Sequence, residues 1–140
     1  MAKLIHIQTS PRGSRSASQA VAVRFIESYC LAHPGDTVDT LDLWQTDLPE
    51  INGATVDAAY AVKHGRPHSP EQLQVWQAVV RIADHFKSAD KYLVSLPMWN
   101  FSIPYKLKHY IDLLVHRGLT FSFTPGEGYK GLVTGKPLVA

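Results

Sequence analysis

The sequence contains a single cysteine, Cys30, and no apolar run long enough to span a bilayer. One cysteine excludes an intramolecular disulfide, and the helical apolar pattern around Cys30 predicts a buried structural thiol rather than a nucleophile. Runs of one charge are also missing, since 14 Lys and Arg residues are scattered among 12 Asp and Glu residues. The amino terminus lacks the apolar core of a signal peptide. We therefore expect a cytoplasmic protein without nucleic-acid or membrane partners.

An apolar share of 45% and a charged share of 19% describe an ordinary globular chain, and 140 residues predict one domain, residues 1–140. Apolar strand patterns alternate with helical periodicity along the chain. Strands are predicted over 3–8, 37–43 and 90–96, and helices over 16–32, from 69 onward and over 104–117. This β-α-β-α-β-α order predicts an α/β fold in three layers, with a parallel sheet between helices.

Two stretches fall outside this alternation. Residues 44–68 carry proline, glycine and asparagine breaks with a weak helical pattern, so we interpret them as a long surface excursion. Later, 119–124 and 131–134 predict a small hairpin, and 135–140 predicts the entrance of a fourth parallel strand. Three strands and part of a fourth would leave an apolar edge uncovered. We therefore expect a domain truncated in its fourth strand, completed by further chain or by another subunit.

Serines surround the join between the first strand and the first helix, at Ser10, Ser14, Ser16 and Ser18. Hydroxyls and unpaired backbone N–H groups at a helix amino terminus suit a phosphate, and the helix dipole favours its charge. The same serines are also ordinary residues for turns and helix caps. The residues alone leave both interpretations open.

Other motifs point to no catalytic or metal site. A formal G-x-G-x-x-G at Gly126, Gly128 and Gly131 lies within the predicted hairpin and indicates turns rather than a nucleotide fingerprint. His64 and His68 are four residues apart, but a glycine and a proline between them disfavour a helix that would bring both to one metal. We find no nucleophile, base and orienting group together. An enzyme whose cofactor performs the chemistry needs none.

The segment from Leu96 to Tyr105 is an aromatic, amide-bearing loop between the third predicted strand and the following helix. Ligands of open α/β sheets bind outside the carboxyl ends of such strands. Trp99 offers a large apolar cover, and the backbone N–H groups near Asn100 and Phe101 can meet the heteroatoms of a flat redox ring. The alternative is that Trp99 and Phe101 are core aromatics; the polar Asn100 and the flanking prolines favour a ligand site.

The chain resembles the FMN-dependent NADH-azoreductase family of flavodoxin-like quinone reductases over essentially its whole length. The resemblance is strongest over 97–101, 107–113, 118–121 and 131–136. It implies a flavodoxin-like doubly wound parallel sheet and an FMN cofactor, with no metal and no catalytic side chain. By the resemblance, FMN phosphate lies on Ser10, Ser16, Ala17 and Ser18, and the isoalloxazine meets Met98, Trp99, Asn100 and Phe101. Ala17 and Trp99 stand where relatives often carry a polar residue and a tyrosine.

The resemblance also implies an activity. Hydride would pass from NAD(P)H through FMN to a quinone or azo compound in ping-pong order, in a homodimer whose site lies at the subunit interface. Phe121 and Phe123 would then lie near the mouth of the substrate pocket. A flavodoxin-type electron carrier or a non-catalytic flavin-binding module is the alternative. Family members continue through a glycine-rich ring-binding loop, a helix and a fifth strand that do not follow Ala140 in this sequence.

Overall fold

The computed structural model describes residues 1–140, which form six strands and four helices. The strands are β1 (Lys3–Gln8), β2 (Thr37–Asp42), β3 (Lys91–Ser95), β4 (Phe121–Thr124), β5 (Gly128–Gly131) and β6 (Leu138–Val139). The helices are α1 (Ala17–Ala32), α2 (Gly53–Lys63), α3 (Pro70–Lys87) and α4 (Tyr105–Leu114).

The central sheet has the strand order β2-β1-β3-β6, and every pairing in it is parallel. This is the start of the order 2-1-3-4-5 that characterises flavodoxin-like doubly wound sheets. The predicted fold class is therefore confirmed. The fourth strand of this sheet, β6, contributes two residues, which pair with Tyr92 and Leu93 of β3.

Side chains of the central strands alternate between two faces, and helices cover both. Ile5 and Ile7 of β1 belong to a core cluster of 14 buried residues that includes side chains from α2, α3 and α4. Leu4 lies on the opposite face, in a cluster of three buried residues with Ala22 of α1 and Leu93 of β3. The three-layer arrangement is as expected, but the two faces bury very different amounts of apolar surface.

The sparse packing of α1 corrects the prediction for Cys30, which is exposed rather than buried. Ala22 is the single buried residue of α1. The apolar side chains around Cys30 therefore do not mark a core face, and Leu31 is 85% exposed. The pattern was helical, as predicted, but it did not reveal how little of this helix contacts the sheet.

Helix α3 begins as its sequence predicts. The Ser69 hydroxyl accepts a hydrogen bond from the Gln72 backbone N–H (3.2 Å), and the Gln72 side chain accepts one from the Ser69 backbone N–H (2.9 Å). This reciprocal capping box satisfies donors that the helix itself cannot, and Pro70 occupies the first turn.

The predicted excursion over 44–68 is wrong in its central part, because α2 lies within it. Asn52 caps this helix, its side-chain oxygen accepting from the Thr55 N–H (3.1 Å). Ala58 and Ala59 are buried, and α2 packs against α3. Burial of these small side chains against a neighbouring helix overrides the weak local pattern.

Two further boundaries differ from the prediction. Helix α4 ends at Leu114 rather than at 117. The predicted hairpin is present, but its second strand begins at Gly128 because Thr124 pairs directly with Gly128. Gly128 has φ +72°, a conformation that glycine adopts without a steric penalty, and this allows the short turn.

None of the four helices is both long and apolar enough to cross a bilayer.

Candidate functional site

The candidate site lies at the carboxyl edge of the central sheet, where hydrogen bonds join the ends of three strands. The Thr9 backbone N–H and hydroxyl both donate to the Ser95 carbonyl oxygen at 3.0 Å, which links the end of β1 to the end of β3. The Trp44 indole N–H donates to the Thr9 carbonyl oxygen (2.9 Å), which adds the segment after β2. The three loops that follow β1, β2 and β3 are therefore held together.

The serine cluster surrounds the amino terminus of α1. Ser16 is buried and caps the helix, its hydroxyl accepting from the Gln19 N–H (3.3 Å) and lying 3.1 Å from the Ser18 hydroxyl. The backbone N–H groups of Ala17 and Ser18 lie in the first turn, where no preceding helical carbonyl can accept from them. Capping and anion binding are thus compatible here, because the cap leaves donors free.

Other polar groups of the first loop complete this end of the site. Ser10 is buried, and its hydroxyl accepts from the Arg12 N–H (3.3 Å). Arg12 and Arg15 are exposed and form no ion pair within the chain, so both guanidinium groups are available to an anion. Ser14 lies in a short turn of 3₁₀ helix, Gly13–Arg15, and is exposed.

A strained turn forms the other end of the site. The backbone N–H groups of Trp99 and Ser102 each donate to the other residue's carbonyl oxygen at 2.9 Å. Between them, Asn100 has φ +49° and Phe101 φ +59°. Two consecutive positive φ angles are typical of a type I′ turn, which normally requires glycine or asparagine. The N–H groups of Asn100 and Phe101 donate to no protein acceptor and remain free for a ligand.

Phe101→Gly is expected to stabilise the chain by about 0.5–1 kcal/mol. The substitution relieves a left-handed conformation that costs a residue with a Cβ about 1–2 kcal/mol, offset by the greater backbone entropy of glycine. Phe101 is 96% exposed, so little packing is lost. Urea denaturation would measure the change. Asn100→Gly is the matched control with a smaller gain, since asparagine tolerates positive φ; a lower midpoint for Phe101→Gly would contradict the assignment of strain.

Three aromatic side chains from two loops and α4 meet beside this turn. The ring centroids of Trp44 and Trp99 are 6.2 Å apart, and Tyr105 meets Trp44 edge-on at 5.5 Å. Tyr105 is the last residue of the predicted 96–105 loop, whereas the sequence prediction omits Trp44 from the site because it places Trp44 in the surface excursion. The available signal was position: Trp44 follows β2 by two residues, and residues that follow parallel strands gather at one edge of the sheet.

Phe121 and Phe123 lie on the separate hairpin of β4 and β5. Both are half-buried, and both rings pack on Tyr129 of the same hairpin, at 5.8 and 4.7 Å. Neither ring contacts the aromatic rings of the 97–101 loop. Their place at the mouth of a substrate pocket stays a prediction.

The histidines of the 44–68 stretch form local contacts. His64 hydrogen-bonds the Tyr60 carbonyl oxygen (2.8 Å) and His68 the Arg66 carbonyl oxygen (2.9 Å). No group of three or more His, Cys, Asp or Glu side chains is arranged to hold a metal ion. The candidate site therefore offers hydroxyls, N–H groups, guanidinium groups and aromatic faces.

A family model, curated relatives and solved structures all match this chain over most of its length. The model of a family described as flavodoxin-like fold matches residues 2–140. A relative from Desulfotalea psychrophila, named FMN-dependent NADH:quinone oxidoreductase, is 48% identical over 136 residues, which cover 97% of this chain and 64% of the relative. A relative of the same name from Nitratidesulfovibrio vulgaris is 48% identical over 139 residues, covering 99% and 66%.

A solved structure agrees with these relatives. The crystal structure of an FMN-dependent NADH-azoreductase from Bacillus anthracis, in complex with FMN, superposes with a TM-score of 0.88 at 30% identity and covers 99% of this chain and 66% of that protein. The chain thus spans 64% to 66% of the length of these relatives. With a family match across residues 2–140 and the expected strand order, the chain belongs to the flavodoxin-like fold family.

Proposed function

We propose that this chain binds FMN and acts in an oxidoreductase that passes electrons from NADH to quinones and azo compounds. The observation that carries the proposal is the meeting, at one edge of the sheet, of a serine-lined helix amino terminus and an aromatic turn. The names of the relatives, FMN-dependent NADH:quinone oxidoreductase and FMN-dependent NADH-azoreductase, support it.

The residues of the first loop fit the phosphate of FMN. Ser10 and Ser16 supply hydroxyls, and Ala17 and Ser18 supply first-turn N–H groups. Ala17 carries no polar side chain, so it contributes through its backbone N–H alone. The dipole of α1, a helix of 16 residues, adds about 0.3–1 kcal/mol in favour of an anion at this end.

The turn after β3 fits the ring system. Trp99 offers an aromatic face braced by Trp44, and Met98 is 74% exposed and can form a wall. The free N–H groups of Asn100 and Phe101 are donors for ring heteroatoms, and the strain of the turn fixes their direction in advance of binding.

FMN, when bound, supplies the hydride chemistry between NADH and the acceptor. The side chains of this chain then position rings and exclude water, because no acid and base pair lies among the site residues. Ping-pong order is part of the proposal, since a single stacking face would serve NADH and acceptor in turn.

Homodimer formation is also part of the proposal. Large apolar side chains flank the candidate site in an exposed state: Met98 (74%), Phe101 (96%) and Tyr105 (62%). A second copy that covered them would remove apolar surface from water and enclose the ring. Phe121 and Phe123 would then line the mouth of the substrate pocket. Sedimentation velocity with and without FMN measures this assembly.

The activity is tested by absorbance spectroscopy of the purified chain with FMN, followed by anaerobic NADH and then benzoquinone. The expected result is a bound flavin spectrum that bleaches with NADH and recovers with the quinone. Trp99→Ala is expected to raise the Kd for FMN about tenfold and to raise the KM for the acceptor, because the stacked face is lost.

Phe25→Ala is the matched control, since Phe25 is a partly exposed aromatic residue on α1 and lies outside the site. Unchanged flavin affinity and kinetics in Trp99→Ala would overturn the role of this loop. Flavin that binds without bleaching would favour an electron carrier or a non-catalytic flavin-binding module over the oxidoreductase.

A further inference from the structure

A second groove lies away from the candidate flavin site, between α2, α3 and the segment that follows α4. It encloses about 490 Å³, within the range of small-molecule sites, and none of its lining residues belongs to the candidate flavin site. Its floor is apolar, formed by the buried side chains of Ala59, Val79 and Leu113.

One wall of this groove is aromatic. Trp76 is 8% exposed, and the His116 ring meets it edge-on, with centroids 5.3 Å apart. The ammonium group of Lys63 lies 5.5 Å from the Trp76 ring centroid. A flat apolar molecule would thus find a floor of aliphatic side chains and a tryptophan at its edge.

The charges at the rim are unbalanced. Lys63 and Arg117 both line the groove, and neither forms an ion pair within the chain. The single carboxylate of the lining, Asp112, is paired with Lys108, whose ammonium lies 2.6 and 2.7 Å from its two oxygens. The rim therefore carries positive charge that no carboxylate neutralises. The Arg117 guanidinium donates to the Phe123 carbonyl oxygen (2.9 Å), a neutral acceptor that leaves its charge uncompensated.

The directions of the pKa shifts of Lys63 and His116 agree with this geometry. Burial and, next to it, repulsion from Arg117 lower the pKa of Lys63. Burial and the nearby Lys63 likewise lower the pKa of His116, which favours a neutral ring at pH 7. Lys63 and Arg117 thus repel each other across the groove. An anion bound between them would reduce this electrostatic repulsion.

We propose that this groove binds a flat aromatic anion, a molecule whose ring lies against Trp76 and the aliphatic floor and whose sulfonate, carboxylate or phosphate lies between Lys63 and Arg117. A small molecule fits better than a protein partner because the floor is recessed and the charges stand at its rim. This groove shares no lining residue with the candidate flavin site, and its one link to the proposed substrate pocket is the contact of Arg117 with Phe123.

The probe that tests the site is anilinonaphthalene sulfonate, with phenylnaphthylamine as the neutral analogue. Fluorescence titration of the full chain is expected to give one sulfonate site whose affinity falls between about 20 mM and about 500 mM NaCl. The double variant K63Q/R117Q is expected to weaken sulfonate binding about fivefold to tenfold and to leave binding of the neutral probe unchanged. The matched control, Arg66→Gln, removes an exposed cation outside the groove and is expected to bind as the wild type does.

Nuclear magnetic resonance locates the bound probe. Amide shifts in Ala59, Val79, Leu113 and the Trp76 indole would support the proposal. Shifts confined to the 97–101 loop, equal sulfonate affinity in K63Q/R117Q, or a dimer whose second copy covers the groove and keeps the probe out would each overturn it. Amide spectra of the variants distinguish lost binding from lost fold.

Discussion

Tyr110→Phe is expected to raise the free energy of unfolding by about 1–2 kcal/mol. Tyr110 is 1% exposed, and its hydroxyl oxygen has no hydrogen-bond partner. A buried hydroxyl without a partner costs about 1–3 kcal/mol of desolvation, and the substitution removes that cost while it keeps the ring in the core. Burial also raises the pKa of this phenol, first by desolvation and then by the proximity of Tyr92.

Tyr92→Phe is the matched control, with the opposite sign. Tyr92 is also buried, but its hydroxyl donates to the Phe86 carbonyl oxygen at 2.8 Å. Its removal leaves that carbonyl without this donor and is expected to destabilise the fold by about 1 kcal/mol. The Phe86 and Tyr92 rings are stacked with centroids 4.4 Å apart, and neither substitution removes a ring.

Urea denaturation followed by far-ultraviolet circular dichroism measures both changes, provided that the slope against denaturant is the same in all three proteins. A loss of stability in Tyr110→Phe equal to that in Tyr92→Phe would contradict the assignment. It would show that the Tyr110 hydroxyl has a partner, such as an enclosed water molecule.

The parts of the fold that the sequence predicts are those in which local and tertiary preferences agree. β1 is a short apolar run buried on both faces, and its observed bounds equal the predicted ones. Helix α3 has a cap, a proline in the first turn and an apolar face that contributes Trp76, Val79 and Ala83 to the core. Here every local signal points the same way as the packing.

The predictions that are wrong concern segments whose structure or burial is set by tertiary packing rather than by the local sequence pattern. Ala58 and Ala59 carry little apolar surface each, so the pattern of α2 is weak, and its helix is stabilised by contact with α3. Cys30 is the opposite case, in which a clear apolar pattern is not matched by burial. Its helix has an apolar pattern, but the sheet face beneath it buries a cluster of only three residues. No local pattern states how many neighbours a face will have.

The candidate site also has features that the sequence predicts and features that only the folded structure determines. Proline and aromatic residues identify the 97–101 loop, but Phe101 gives no sign that it takes φ +59°, because phenylalanine avoids that conformation. The reciprocal hydrogen bonds between Trp99 and Ser102 impose it. Trp44 reaches the site through contacts distant in sequence: a hydrogen bond to Thr9, 35 positions away, and ring contacts with Trp99 and Tyr105.

His6 provides the second large prediction, a loss of stability between pH 7 and pH 5. The side chain is 1% exposed on the α1 face of the sheet, where Nε2 lies 2.9 Å from the Ser95 hydroxyl and Nδ1 has no partner. Burial lowers the pKa of His6 below its usual 6.5, and no charged group contributes to the shift.

The direction in which stability changes with pH follows from proton binding to His6. Between the folded pKa and the unfolded pKa of 6.5, the unfolded chain binds more protons at His6 than the folded chain does. Stability is therefore full above pH 6.5 and falls as the pH drops below it, by at most about 1.4 kcal/mol per pH unit for one proton. His116 acts in the same direction, because burial and Lys63 lower its pKa too.

His6→Leu and His116→Gln separate the two contributions, and the double variant is expected to show a clearly smaller loss of stability from pH 7 to pH 5 than the wild type. The lost contact with Ser95 shifts the His6→Leu curve by a constant amount without adding a slope. Asp36 and Asp39 do not interfere, since hydrogen bonds lower the pKa of both carboxyl groups and their contribution is lost only at more acid pH. Urea denaturation midpoints measured from pH 7 to pH 5 test this prediction. If His6→Leu kept the wild-type slope of stability against pH, the buried imidazole would not be the group that titrates.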